Sequence, residues 1–171
     1  MEIKDIYAVF ETVAKAYDKI EGISYTKLWD LNGQPALKYP HILIECQPDY
    51  TTINARSGGS SNYLPIKKKY EIKVFLFDQW TLTERNSTKP EYLALQEKQS
   101  EMQLIFERYL SEVQRYFLDV QSANAFIENN QPKGFFGFFN KHNDKLVEIF
   151  EKITVVAPSQ CTKGNFTYPA P

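Results

Sequence analysis

Residues 91–117 read EYLALQEKQSEMQLIFERYLSEVQRYF, and their apolar side chains recur at the spacing of one helical face. The preceding Thr88-Lys89-Pro90-Glu91 has capping-box spacing, and Pro90 stands in the first turn, where its missing N–H costs nothing. We therefore expect a helix of about 28 residues or more, roughly 40 Å long. Its predicted core face consists of Leu95, Met102, Ile105, Phe106, Tyr109, Leu110, Val113, Tyr116, Phe117 and Val120.

Apolar residues also recur at spacings of three and four between Glu2 and Glu21, which predicts an amphipathic N-terminal helix. Gly22 stands where a left-handed cap would end that helix. The residues expected on its core face are Ile3, Ile6, Phe10, Val13, Tyr17 and Ile20.

Alternating patterns predict strands between the two helices. Residues 67–78 are the clearest strand, and residues 41–50 form another, bounded by Pro40 and Pro48. Residues 23–30 are a candidate edge strand, and the Gly- and Ser-rich residues 57–62 are expected to form a mobile loop. The expected core face of residues 67–78 is Tyr70, Ile72, Val74 and Leu76.

After the long helix, residues 135–139 and 145–157 are predicted to form a hairpin. Glu151 interrupts the apolar alternation of the second run, so we expect a bulge or an exposed end there. The whole order predicts an α+β fold, with an antiparallel or mixed β-sheet covered on one face by the N-terminal helix and the long helix. Residues 1–160 are expected to form a single domain and residues 161–171 an extended C-terminal arm.

Composition narrows the classes of function. The formal net charge of the 171 residues is −1, which argues against non-specific nucleic-acid binding across the whole surface. Cys46 and Cys161 make neither a disulfide framework nor a metal-ligand pattern. The sequence has no signal-peptide pattern and no membrane-length apolar run, so we expect synthesis in the cytoplasm.

Catalytic motifs are missing from the sequence. It contains no phosphate-binding glycine loop, nucleophile elbow, H-E-x-x-H or C-x-x-C pattern. His41 at a strand start and His142 in a predicted turn pair with no obvious nucleophile by sequence. We therefore expect no enzymatic activity, no cofactor and no metal, although a site that only the fold assembles remains an alternative.

Two groups of residues are candidates for binding surfaces. The run Lys67, Lys68 and Lys69 next to aromatics is a weak candidate for facing DNA, whereas solvated lysines or protection of a sheet edge are the structural alternatives. Aromatic residues beyond what one short domain can cover are candidates for contacts between subunits. These are Phe135, Phe136, Phe138, Phe139, Phe166 and Tyr168. For the run at 135–139, ordinary core is the favoured alternative, because a strand with phenylalanines on both faces must be covered on both.

Four segments spanning most of the chain carry a resemblance to a known group of proteins. They are MEIKDIYAVFETVAKAY at the start, LPIKKKYEIKVFLFD after the Gly/Ser loop, the long helix, and HNDKLVEIFEKITVVAPSQC near the end. With them the chain resembles phage tail-terminator and neck (head-to-tail connector) proteins, including those of crAss-like phages that infect Bacteroides. No residue-by-residue site is carried over, because the group has no catalytic residues to transfer.

The resemblance implies a structural protein of the virion that is made in the host cytoplasm. Its subunits would extend one another's sheets in a six- or twelve-fold homo-oligomeric ring around the DNA channel, joining the portal side to the tail. The implied partners are portal, adaptor or tail subunits, with packaged DNA passing without sequence-specific binding and with no membrane. A soluble bacterial protein-interaction domain with a similar layout is the alternative.

Overall fold

The computed structural model describes residues 3–33, 37–54, 66–80, 88, 90–119, 126–128, 135–141 and 144–158. Within them the chain forms two long helices, one 3₁₀ helix and six strands, which confirms the predicted α+β class. The helices are α1 (Ile3–Ala16) and α2 (Glu91–Asp119), and the 3₁₀ helix spans Leu28–Gly33. The strands are β1 (Gly22–Tyr25), β2 (His41–Asn54), β3 (Ile66–Gln79), β4 (Phe126–Glu128), β5 (Phe135–Lys141) and β6 (Asp144–Pro158).

The six strands form one mixed sheet in the order β1-β2-β3-β6-β4, with β5 also paired to β6. β1 runs parallel to β2, and every other pairing is antiparallel. β6 pairs with β3 along nearly its full length, while its other side is shared between β5 and β4. The predicted hairpin of residues 135–139 and 145–157 is thus confirmed as β5 and β6.

Both helices belong to one hydrophobic core on one face of the sheet, as predicted. The alternating residues of β3 contribute to this core and so do those of β6, because alternate side chains of a strand lie on the same face. α2 covers the expected length and buries the centre of the expected stripe, while Leu95, Leu110 and Tyr116 are partly buried against the core. Its fully or nearly fully buried residues are Met102, Ile105, Phe106, Tyr109, Val113 and Phe117.

α1 and α2 meet through aromatic side chains. The Phe10 ring lies 6.4 Å from the ring of Tyr109 and 6.3 Å from that of Phe117, edge-on to the latter. The hydroxyl of Tyr109 donates a hydrogen bond of 3.0 Å to the carbonyl oxygen of Phe10. This bond satisfies a polar atom that burial would otherwise leave without a partner, so it fixes the position of α1 on α2.

The opposite face of the sheet carries a second, smaller core. Leu31 of the 3₁₀ helix packs there against Leu43 and Phe77, with Phe75 stacked on Phe150 at 4.9 Å. The 3₁₀ helix lies in the crossover between the parallel strands β1 and β2, a connection that cannot be a tight turn. The face of the sheet away from α1 and α2, here called the helix-free face because neither α-helix lies on it, is therefore partly covered by the 3₁₀ helix.

The start of the sheet departs from the predictions. α1 ends at Ala16, and Gly22 is the first residue of β1 and not a left-handed cap. No described glycine has a positive φ. Gly22 is instead required by a close approach, because a Cβ at this position would lie 2.4 Å from Nδ1 of His41. The predicted strand 23–30 is also shorter than expected, since β1 ends at Tyr25 and the chain turns into the 3₁₀ helix.

Two further corrections concern interruptions in the strands. β2 continues past Pro48 to Asn54, and the pairing with β3 shifts register between Gln47 and Thr51. The shift accommodates the missing N–H of Pro48 inside the strand. Glu151 is neither a bulge nor a strand end: it pairs with Val74 in a register that runs unbroken along β6.

Candidate assembly surface

The outer edge of β2 is largely uncovered by the other described strands. β1 pairs only with the first four residues of β2, from His41 to Ile44. In the part of the chain that the structure describes, no strand pairs with residues 45–54 on that side. A strand edge of this length presents backbone donors and acceptors to which another strand can pair.

The second edge of the sheet is formed by β5 and β4. Phe135, Phe136, Phe138 and Phe139 all lie in β5, where they are in register with Phe150, Ile149, Val147 and Leu146 of β6. The structure thus places the four predicted interface phenylalanines on a strand that has β6 on one side only among the described strands. Their contact with another subunit remains a prediction.

The lysine run does not protect an edge. The run lies in β3, which pairs with β2 on one side of Lys67, Lys68 and Lys69 and with β6 on the other. The alternative that these lysines protect a sheet edge was therefore wrong. Alternation places Lys69 on the helix-free face with Glu71 and Lys73.

That part of the helix-free face is mixed in charge. Lys73 contacts Glu45 at 3.4 Å, and Lys152 contacts Glu71 at 2.6 Å. The positive charges at these positions are therefore partly balanced by neighbouring carboxylates. A role for the run in facing DNA stays a prediction.

A groove of about 610 Å³ lies between α1 and the C-terminal half of α2. Val13, Tyr17 and Tyr116 give it apolar walls, and Arg108 and Arg115 lie at its side. Glu112 accepts hydrogen bonds of 2.7 and 2.9 Å from Arg115. Neither His nor Cys is among the residues that line the groove, so it offers no nucleophile paired with an imidazole base.

A serine and a histidine that are far apart in sequence meet beside β1. Ser24 Oγ lies 2.9 Å from His41 Nε2, and His41 Nδ1 lies 3.2 Å from the carbonyl oxygen of Lys38. His41 is only 4% exposed. A general base must reach the substrate, so an imidazole this enclosed is interpreted as a link between β1 and β2. Sequence reasoning missed the pair, because only the parallel register of the two strands brings it together.

An acidic side chain lies on the helix-covered face of the sheet. Glu151 occupies a core-facing position between Ile149 and Ile153. Burial raises the pKa of its carboxyl, and the nearby Glu107 of α2 raises it further. Glu107 accepts a 2.8 Å hydrogen bond from the Gln103 amide, so the carboxylate near Glu151 is itself held in place.

This placement predicts a pH-dependent stability. A raised pKa means that the folded protein binds the proton more tightly than the unfolded chain, so the free energy of unfolding falls as pH rises above about 4. Glu151→Gln should therefore raise the free energy of unfolding at pH 7 and have little effect below about pH 4. Urea denaturation at both pH values, in wild-type and Glu107→Gln backgrounds, measures the effect.

The Glu107→Gln background is the matched control. The gain from Glu151→Gln should be smaller there, because part of the repulsion is already removed. Equal stabilisation by Glu151→Gln at pH 4 and pH 7 would contradict an origin in the charge.

Several predicted features lie outside the described residues. These include Phe166 and Tyr168, His142, Val120, the loop at 57–62, Cys161 and the arm at 161–171. Within the described ranges, no group of three or more His, Cys, Asp or Glu residues is arranged to hold a metal ion. The described helices include none with the length and apolarity to cross a membrane.

No protein-family model matches the chain, and no curated protein matches it. The geometry of the described residues is therefore the basis for a functional proposal.

Proposed function

We propose that the protein is a non-enzymatic structural subunit that assembles edge to edge into a closed ring, in the manner of a phage neck or tail-terminator protein. The single observation that supports this most is the long outer edge of β2 at residues 45–54, which no described strand covers. Natural proteins usually block or cover such an edge, or use it for pairing.

The opposite edge of the same sheet supplies the complementary surface for the proposed contact. β5 and β4 border the sheet at its other end, and β5 is rich in phenylalanine. A β2 edge that pairs with the β5 side of the next subunit makes a heterologous contact, which generates a ring when the rotation closes. In the proposed virion setting, portal, adaptor or tail subunits are the neighbours, and the lysine run at 67–69 is a candidate for lying near the DNA.

Two proline substitutions in β2 test the proposed pairing. Successive residues of a strand direct their N–H groups to opposite sides, so one of Thr52→Pro and Ile53→Pro removes a hydrogen bond to β3 and the other a donor at the outer edge. We expect the variant that loses the outer-edge donor to remain folded but lose ring assembly. The variant that loses the hydrogen bond to β3 should be less stable as a monomer. Circular dichroism measures folding, and sedimentation velocity with negative-stain microscopy measures assembly.

The two variants control for each other, because each adds the same residue one position apart. If both variants form rings over the same range of protein concentration as the wild type, pairing through this edge is contradicted. Wild-type protein that forms no closed ring at any concentration tested would contradict the proposed function itself.

A further inference from the structure

The outer face of α2 carries exposed leucines in a line. Leu93, Leu104 and Leu118 are 38%, 49% and 60% exposed, although all three are large apolar side chains. At 3.6 residues per turn they lie within about 40° of one another around the helix axis, opposite the buried stripe. Ser100 and Ser111 fall on the same line. The five residues, here called the outer stripe, run along about 37 Å of helix.

The outer stripe is symmetric about its centre. Leu93 and Leu118 are equally far from a midpoint between residues 105 and 106, and Ser100 and Ser111 share that midpoint. Leu104 lies within one turn of it. When two copies of a helix pack antiparallel about a two-fold axis, residues equidistant from the centre come level with each other. Leucine would then meet leucine at both ends, and serine would meet serine between them. Near the centre the two copies of Leu104 would lie about 4.5 Å apart along the helix axes.

The charges beside the outer stripe have the complementary arrangement. Glu97 and Glu101 lie on one flank in the N-terminal half, and Arg108 and Arg115 lie on the same flank in the C-terminal half. A two-fold axis across antiparallel helices brings this flank of one copy against the same flank of the other. The acidic half of each helix then faces the basic half of its partner. Along the paired helix axes, Glu97 of one copy lies within about one residue of the height of Arg115 of the other. Glu101 lies within about two residues of the height of Arg108 of the other copy.

We propose that a second copy of this chain docks on the outer stripe, forming an antiparallel two-fold dimer through α2. Opposite charges at matched positions favour the antiparallel direction. In a parallel two-fold pair this flank would face the other flank of the partner, which carries three glutamines (Gln96, Gln103 and Gln114) and one carboxylate, Glu107. The groove between α1 and α2 opens beside this flank, so the acidic half of the partner helix lies over Arg108 and Arg115.

This contact is independent of the proposed ring. A two-fold contact uses the same surface on both subunits and closes after two copies, whereas a ring requires two different surfaces. The outer stripe belongs to α2, and the ring contact belongs to the sheet edges.

Reversing the charges on one half of the flank at a time tests the dimer. Glu97→Arg with Glu101→Arg makes all four of these positions basic, and Arg108→Glu with Arg115→Glu makes all four acidic. Glu112, which pairs with Arg115, is unchanged in every variant. Each double variant should dissociate about tenfold or more readily than wild type. The variant with all four changes should dimerise as wild type does, because every opposite-charge contact is restored. Sedimentation velocity over a concentration series measures association, and circular dichroism checks folding.

The fourfold variant also controls for net charge, since its charge equals that of the wild type. A wild-type protein that stays monomeric, or whose oligomer is unaffected by either double variant, overturns the proposal. A fourfold variant that folds but does not recover wild-type association also overturns it, since the antiparallel charge match is then not the determinant.

Discussion

Replacing Phe106 by alanine is expected to lower the free energy of unfolding by about 3–5 kcal/mol. Phe106 is 2% exposed and lies in the core between α2 and the sheet. Truncation removes most of a buried aromatic ring and leaves a cavity that the surrounding strands cannot close fully. Urea denaturation followed by far-ultraviolet circular dichroism gives the free energy directly.

Leu104→Ala is the matched control on the same helix. Leu104 is 49% exposed, so its truncation should change monomer stability by no more than about 0.5 kcal/mol. Both variants are compared with wild type at concentrations where all sediment as monomers, which separates folding from association. A loss below about 1 kcal/mol for Phe106→Ala would contradict the packing of α2 on the sheet.

Replacing Phe10 by alanine is expected to cost about 3–5 kcal/mol, at the contact between the helices. Its ring is fully buried and touches the aromatic side chains of Tyr109 and Phe117. The truncation also opens space next to the hydrogen bond from the Tyr109 hydroxyl to the Phe10 carbonyl. Because both contacts weaken together, amide hydrogen exchange should increase in α1 more than in β3 and β6.

Phe10→Leu is the control for lost volume. Leucine fills most of the site, so we expect a cost of less than about 1.5 kcal/mol and near-normal protection of α1. If Phe10→Ala leaves both stability and exchange in α1 unchanged, α1 does not pack on α2 in solution.

The elements with a long, regular apolar period were predictable from sequence. The period over residues 91–117 predicted α2 and its buried face, and the alternation around Tyr70 and Val74 predicted β3. These patterns depend only on residues close in sequence, because a helix or strand buries one face regardless of which element packs against it. The class of fold follows from their order along the chain.

Features that depend on distant parts of the chain were not predictable in this way. Gly22 resembled a helix cap, but its neighbour is His41, which only the parallel pairing of β1 and β2 brings close. Glu151 broke an apolar alternation and resembled a bulge, yet the register continues through it. The edge of β2 that no described strand covers could not be inferred, because an edge is defined by which strands pair beside it.

The central position of β6 has a consequence for biosynthesis. β6 begins at residue 144, yet it is the strand to which β3, β4 and β5 all pair. While the ribosome is still translating the earlier residues, β3 has β2 beside it and no described strand on its other side, so the sheet beneath α2 is incomplete. Pairing across this many residues is slow because the loop must be closed first. The nascent chain therefore exposes an apolar strand edge until residues 144–158 have left the ribosome, which is the interval in which chaperones or premature association would act on it.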